Sequence, residues 1–135
     1  MAAKEPLSVV NSGSGIQVEQ WGANDQRIVI TGEIDARLKA HLENFDSIKG
    51  LDLSKETILV FDNPGGSILA GLPMGKLIGS LAEAIQEKSG KRLHVVIARE
   101  CHSMCTAVFA HVAAEAKTNK ALQITVPDYA IFGFH

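Results

Sequence analysis

Apolar and polar positions along this chain switch between two periods, and the switches mark out alternating strands and helices. Arg27-Ile28-Val29-Ile30-Thr31 is a short β-branched run closed by Gly32, which predicts a strand. Asp35 then stands where a helix cap belongs, and Leu38, Leu42 and Phe45 recur at helical spacing behind it. Ile58-Leu59-Val60-Phe61 is an unbroken apolar run, as expected of a strand buried on both faces, and Asp62 to Gly66 reads as the turn after it. A helix is predicted from Ser67 to Lys88, with Ala70, Leu77, Ile78, Leu81 and Ile85 suited to packing on a sheet. Pro73 either kinks that helix or restarts its first turn, and Gly90 ends it. Leu93 to Ala98 predicts another buried strand, and Ser103 to about Lys117 a second apolar helix carrying Ala107, Val108, Ala110 and Val112. Leu122–Val126 and Tyr129–Phe134 are two more strands, separated by Pro127-Asp128.

Strands alternating with helices imply βαβ crossovers, hence an α/β domain with a mostly parallel sheet covered by helices. Residues 1–26 are polar and rich in Gly and Ser around Asn11-Ser12-Gly13-Ser14-Gly15. They read as a flexible N-terminal arm with one strand at Ile16–Trp21, leaving 27–135 as the domain. A chain of 135 residues is long enough for one substantial core, and no repeat or low-complexity tract argues for a second.

Bulk composition narrows the function mainly by exclusion. The chain is 46% hydrophobic and 21% charged, with a net charge of −2, so no electrostatic case exists for nucleic acid or anionic lipid. No apolar run approaches the roughly 18–20 residues of a membrane span. Met1-Ala2-Ala3-Lys4-Glu5-Pro6 lacks the apolar core of a signal peptide, so the expected states are a cytoplasmic protein or the mature part of an exported one. The two cysteines, Cys101 and Cys105, are four apart. On a helix that spacing is about 6 Å along the axis, near the upper end for a disulfide. Two readings stay open: a bridge, implying an oxidising compartment, or two thiols packed as small hydrophobes. The Cys-His-x-x-Cys order of residues 101–105 has no second ligand pair elsewhere, so no metal site is expected. No cofactor motif is present: the Gly65-Gly66 turn lacks the lysine of a P-loop and the third glycine of a dinucleotide loop.

Three places can do chemistry. Pro64-Gly65-Gly66 follows a buried strand and precedes a helix, where ligands collect in α/β folds, although such a sequence is often only a turn. Ser103 follows a strand and opens an apolar helix, whose N-terminus offers free N–H groups and partial positive charge; a plain N-cap serine has the same signature. His135 ends the apolar run Ala130 to Phe134 and is either a base or a chain-end residue without a role. His102 adjoins Ser103 but points elsewhere at a helix start. His111 shares the face of Ser103 two turns on and is too distant.

Taken in order, these patches resemble the ClpP/crotonase superfamily, and within it the ClpP-like serine peptidases. Arg27 to Asp35 is similar to the strand and "L-x-G-x-I-D" entry of those proteins. Phe61-Asp62-Asn63-Pro64-Gly65-Gly66-Ser67-Ile68-Leu69-Ala70-Gly71 resembles their "NSPGGSVxAG" segment, with Asp62-Asn63 in place of Asn-Ser. His102-Ser103-Met104 falls where the family has "AASMG", and Phe132-Gly133-Phe134-His135 where it has "MIH". The resemblance implies a ClpP/crotonase-like fold of repeated ββα units and an ATP-independent peptidase acting on peptide or protein substrates. It implies Ser103 as nucleophile, His135 as general base, and an oxyanion hole from the N–H groups of Gly65 or Gly66 and Met104. It also implies a homo-oligomer. Cys-x-Ser-x-Cys looks closer to exported bacterial ClpP-like proteins, so the resemblance implies a periplasmic or exported protein.

The departures carry their own expectations. Cys101 and Cys105 flank the serine where the family has small residues, and a bridge there would fix the turn that presents Ser103. Ala113–Gln123 reads as an enlarged loop. The family's orienting aspartate comes after the histidine, so the domain is expected to be truncated at its C-terminus; Asp128 is a poor substitute. Lys117 and Lys120 leave a serine–lysine dyad open. Two readings of other classes stand beside the peptidase: a non-catalytic peptide-binding or assembly module, and acyl-thioester chemistry that needs the Gly-Gly turn but not Ser103.

Overall fold

Alternation in the first thirty residues builds a three-stranded antiparallel meander. It consists of β1 (Ser8–Gly13), β2 (Ile16–Gln20) and β3 (Asp25–Ile30). The computed structural model describes residues 5–13, 15–31, 35–63, 73–102, 104–125 and 131–133. Within these, residues 13, 63, 97–102, 104–106 and 131–133 are described by their backbone. The chain continues through α1 (Ala36–Glu43), a 3-10 turn at Phe45–Ser47, β4 (Glu56–Asn63), α2 (Met74–Ser89), β5 (Leu93–His102), α3 (Met104–Ala116), β6 (Leu122–Thr125) and β7 (Ile131–Gly133). The sheet runs β1-β2-β3-β4-β5-β6, with β7 also on β5. Every pairing from β3 onward is parallel. This is a mixed α/β domain with a mostly parallel sheet.

The loose arm expected over residues 1–26 gives way, from Ser8 onward, to two paired strands. Composition hides this because the ordering comes from side chains elsewhere. Ile16 and Val18 are fully buried in the core. Buried Gln26 donates to Thr57 Oγ1 at 2.9 Å and to the Asp52 carbonyl, and its Oε1 accepts from Asp52 N–H at 3.2 Å. Gln20 donates to the Gly50 carbonyl at 3.0 Å and accepts from Lys55 Nζ at 2.6 Å. The meander is thereby tied to the segment that leads into β4.

The predicted cap of α1 is present: Asp35 Oδ1 accepts from the N–H groups of Arg37 at 3.0 Å and Leu38 at 2.9 Å. Leu38 and Leu42 are buried, while Phe45 falls in the 3-10 turn and packs partly on the core. The described part of the next helix begins at Met74 with Pro73 in the N-cap position, where a missing N–H costs least. It ends at Gly90, whose φ of 73° and N–H bond to the Gln86 carbonyl form a left-handed cap. In α3, Val108 and Val112 are buried as expected and Ala110 is exposed.

Among the described residues the sheet is buried on one face rather than two. Ile28, Ile30, Leu59, Phe61, Leu93 and Val95 are buried against Leu38 and Leu42 of α1, Ile78, Leu81 and Ile85 of α2, and Val108 and Val112 of α3. The alternate positions Val29, Ile58, Val60 and Val96 stay partly exposed. The order β3-β4-β5-β6 advances in one direction, and right-handed crossovers then place successive helices on one side. The unbroken Ile58–Phe61 run therefore does not mean two covered faces among the described residues.

Candidate functional site

Of the residues singled out for chemistry, Gly65, Gly66, Ser103 and His135 lie outside the described residues. The strands that lead into them are described. β4 ends at Asn63, directly before Pro64-Gly65-Gly66, and Asn63 pairs with Cys101 of β5. β5 ends at His102, directly before Ser103. On its other edge Cys101 pairs with Phe132, and His102 with Gly133, two residues before His135. Adjacent strands lie about 4.8 Å apart. Three strand ends distant in sequence are thus brought side by side at the carboxyl edge of the sheet, where α/β folds bind ligands.

Two local features shape that edge. From Phe61↔Ile97 to Asn63↔Cys101 the register advances by two residues on β4 and four on β5, so β5 bulges just before Cys101. A bulge bends its strand and re-aims the residues beyond it. The same strand changes partner, from β6 over Leu93–Val96 to β7 over Glu100–His102. Both explain why β5 runs past the predicted end at Ala98 through charged Arg99 and Glu100. Met104 is the first residue of α3, so its N–H has no intrahelical acceptor and sits at the positive end of a 13-residue helix. Cys101 lies on the strand and Cys105 on the helix. A helical i,i+4 separation therefore does not apply to them.

The structure removes the lysine alternative. Lys117 and Lys120 lie in the turn between α3 and β6, and β6 begins at Leu122, which pairs with Leu93 at the start of β5. His102 is at the far end of that strand, about 23 Å away at 3.3 Å per ladder step, well beyond a lysine side chain. The enlarged loop expected over Ala113–Gln123 is likewise shorter than predicted, because α3 continues to Ala116.

Helix α3 is held in place by a seam that sequence patterning alone does not reveal. A Cβ built on Gly75 of α2 would stand 2.9 Å from His111 Cβ and 3.0 Å from the His111 carbonyl carbon and oxygen. A Cβ on Gly79 would meet the Glu115 carboxylate at 2.6 Å. Buried Asn119 closes the seam, donating to the Gly79 carbonyl at 3.1 Å and Glu115 Oε2 at 3.2 Å, and accepting from Ala121 N–H at 3.0 Å. In the sequence the seam leaves no more trace than two glycines four apart, Gly75 and Gly79, in an amphipathic helix. Gly75→Ala pushes against backbone, and overpacking of about 1–3 kcal/mol outweighs the helix-propensity gain of about 1 kcal/mol. Gly75→Ala is therefore expected to lower the stability read from the urea midpoint by a net of about 1 kcal/mol. Gly79→Ala, which meets the swinging end of a side chain, is expected to shift it less.

Two surface grooves accompany these elements. One of about 360 Å³ lies between α2 and α3, lined by Pro73, Lys76, Leu77, His111 and Ala114. The other, of about 660 Å³, is formed by the segment before β4 and includes Phe45, Leu51, Asp52 and Lys88. It therefore lies toward the amino edge of the sheet. The Ser54 hydroxyl and N–H donate to Asp52 and hold its carboxyl below the usual range, outweighing a smaller desolvation effect; Lys55 and Lys88 act in the same direction as Ser54. A depressed carboxylate stabilises the fold above its unfolded pKa and loses that contribution as pH falls through its folded value. Asp52 is exposed, so the contribution is small.

Among the described residues no helix is long and apolar enough to cross a membrane. The class defined by these elements is a mixed α/β domain with the carboxyl ends of β4, β5 and β7 gathered at one edge. No protein-family model matches the chain, and no curated protein matches it.

Proposed function

We propose that this chain is a ClpP-like, ATP-independent serine peptidase, with the ClpP/crotonase-like fold of repeated ββα units that its motifs resemble. Ser103 is the nucleophile, His135 the general base, and the N–H groups of Gly65 or Gly66 and of Met104 the oxyanion hole. The observation that carries the reading is the joint register Asn63↔Cys101↔Phe132 and His102↔Gly133, which tethers three sequence-distant motifs to neighbouring strand ends. In the proposed reaction Ser103 Oγ attacks a peptide carbonyl while His135 takes its proton. The oxyanion is held by the turn and by Met104 N–H, and His135 returns the proton to the leaving amine. Water then attacks the acyl-enzyme with His135 as base, releasing the acid and restoring Ser103. The proposal extends to a peptide or protein substrate, a periplasmic or exported location, and a homo-oligomer, each on the strength of the resemblance.

Met104 offers a direct test. Proline is tolerated at the first position of a helix, where its missing N–H has no intrahelical role. Met104→Pro is therefore expected to leave the circular dichroism spectrum unchanged while lowering kcat for peptide hydrolysis by about 10²–10³, the usual effect of losing one oxyanion donor. A folded Met104→Pro variant with full activity would remove Met104 from the oxyanion hole.

A further inference from the structure

We propose that the open edge of β1 is a docking strand, which pairs with an extended, uncharged and apolar segment of another polypeptide and leads it toward the carboxyl edge of the sheet. Docking stands on the strand itself; its effect on hydrolysis rests on the reading of Ser103 as nucleophile.

Among the described residues β1 has one neighbour, β2, so its other side presents main-chain donors and acceptors along a sheet edge. Leu7, which leads into the strand, is 73% exposed and Val9 is 50% exposed; among the described residues these are the large hydrophobics that stand out in solvent. Val10 pairs with buried Val18, whereas Val9 pairs with Glu19 and so belongs to the face away from the core. No charged residue occurs from Pro6 to Gly13. Edge strands of soluble proteins are commonly blunted by charge, and this one is not. It is limited at its ends instead, by Pro6 before it and by the register shift between Asn11 and Gly13.

These features select the occupant. A strand edge with exposed apolar side chains two apart is matched by an extended segment of the same kind. Main-chain bonds then give affinity, and alternate side chains give selectivity. A second copy of the chain fits poorly. Leu7 to Val10 spans only about 13 Å, whereas a stable interface takes about 20–30 residues a side. A short pairing suits a segment that is held and then moves on.

Direction gives the pairing a use. β1 is antiparallel to β2, β2 is antiparallel to β3, and β3 is parallel to β4 and β4 to β5, so β1 and β5 point to the same edge. Val10, Val18, Ile28 and Leu59 share one rung of the sheet. The rung of Asn63 and Cys101 lies four steps beyond Leu59, and β5 lies four strand spacings from β1. Cys101 is therefore about 23 Å from Val10, a span of about seven extended residues. One polypeptide can hold β1 and reach the candidate site together, which raises its effective concentration there.

The test uses the whole chain and a fluorescein-labelled peptide of alternating Val and Ser, with a copy N-methylated at every residue. The unmodified peptide is expected to bind, read by fluorescence anisotropy, and to slow amide hydrogen exchange at residues 7–10. The N-methylated copy keeps the side chains but cannot donate to a strand, and is expected to do neither. Leu7→Lys/Val9→Lys changes two exposed positions and is expected to keep the circular dichroism spectrum while weakening binding about tenfold, as the loss of two cross-strand apolar pairs implies. With an unfolded protein substrate the same variant is expected to raise KM by that factor at unchanged kcat. Hydrolysis of a tripeptide ester, too short to span both places, is expected to stay unchanged. No peptide binding, equal binding of the N-methylated copy, or a dimer of the chain that is lost in Leu7→Lys/Val9→Lys and excludes the peptide would overturn the docking strand. Peptide binding at residues 7–10 without hydrolysis of either substrate upholds the docking strand and defeats the peptidase reading. Hydrolysis of the unfolded protein with a KM that ignores the variant does the reverse.

Discussion

Ser103→Ala is expected to abolish hydrolysis of an unfolded protein substrate, lowering kcat by about 10⁴–10⁶ while the variant stays folded. The size reflects the role assigned to the side chain. In the proposed reaction no acyl-enzyme forms without Oγ, and the proposed donors at Gly65 or Gly66 and at Met104 give only the residual acceleration of an oxyanion hole. The fold is not expected to suffer, because a serine directly before a helix contributes at most one capping bond of about 1 kcal/mol. Steady-state kinetics with a fluorogenic unfolded protein, paired with circular dichroism, measure both halves. A Ser103→Ala variant that kept its activity would point instead to acyl-thioester chemistry, which uses the glycine turn alone.

Phe61→Ala is expected to cost about 3–5 kcal/mol of stability, a large share of the roughly 5–15 kcal/mol that holds a domain of this kind. Phe61 is only 1% exposed, and it is among the largest fully buried side chains. It lies on β4 between Ile30 of β3 and Ile97 of β5, so the cavity opens at the centre of the sheet. It also stands two residues before Asn63, where β4 ends. The expected readout is a sharply lower urea midpoint with little change in slope. Val60→Ala, on the partly exposed face of the same strand, is expected to lose far less. Equal losses at the two positions would mean that the sheet is buried on both faces.

Much of this architecture was legible because local chemistry and burial agree. Asp35 caps its helix, Leu38 and Leu42 fall on the buried face, Gly90 ends α2, and the β-branched runs at Ile28–Ile30 and Val95–Val96 are strands. The illegible parts depend on partners distant in sequence. The Ser- and Gly-containing segment Ser8–Gly13 carries little strand signal of its own, and becomes β1 through its ladder to β2. Arg99 and Glu100 are poor strand residues that extend β5 because a bulge and a new partner, β7, receive them. The one-sided burial of Ile58–Phe61 comes from the order in which the strands are laid down, which an apolar run does not encode.

The candidate site divides in the same way. Its motifs are readable as motifs, and each lies next to a described strand end. The rejection of Lys117 and Lys120 needed the topology, since both lie between Ser103 and His135 in sequence yet stand at the opposite edge of the sheet. The seam of Gly75, Gly79 and Asn119 needed the packing of α2 on α3, because Asn119 looks like an ordinary turn residue until its partners are known.

The central claim is that Ser103 is an activated nucleophile, and fluorophosphonate labelling of the folded chain against its Ser103→Ala variant tests it without a known substrate. The expected result is one covalent adduct, located at Ser103 by peptide mass mapping and absent from the variant. A folded chain that takes no label, or a label that persists in Ser103→Ala, would contradict it.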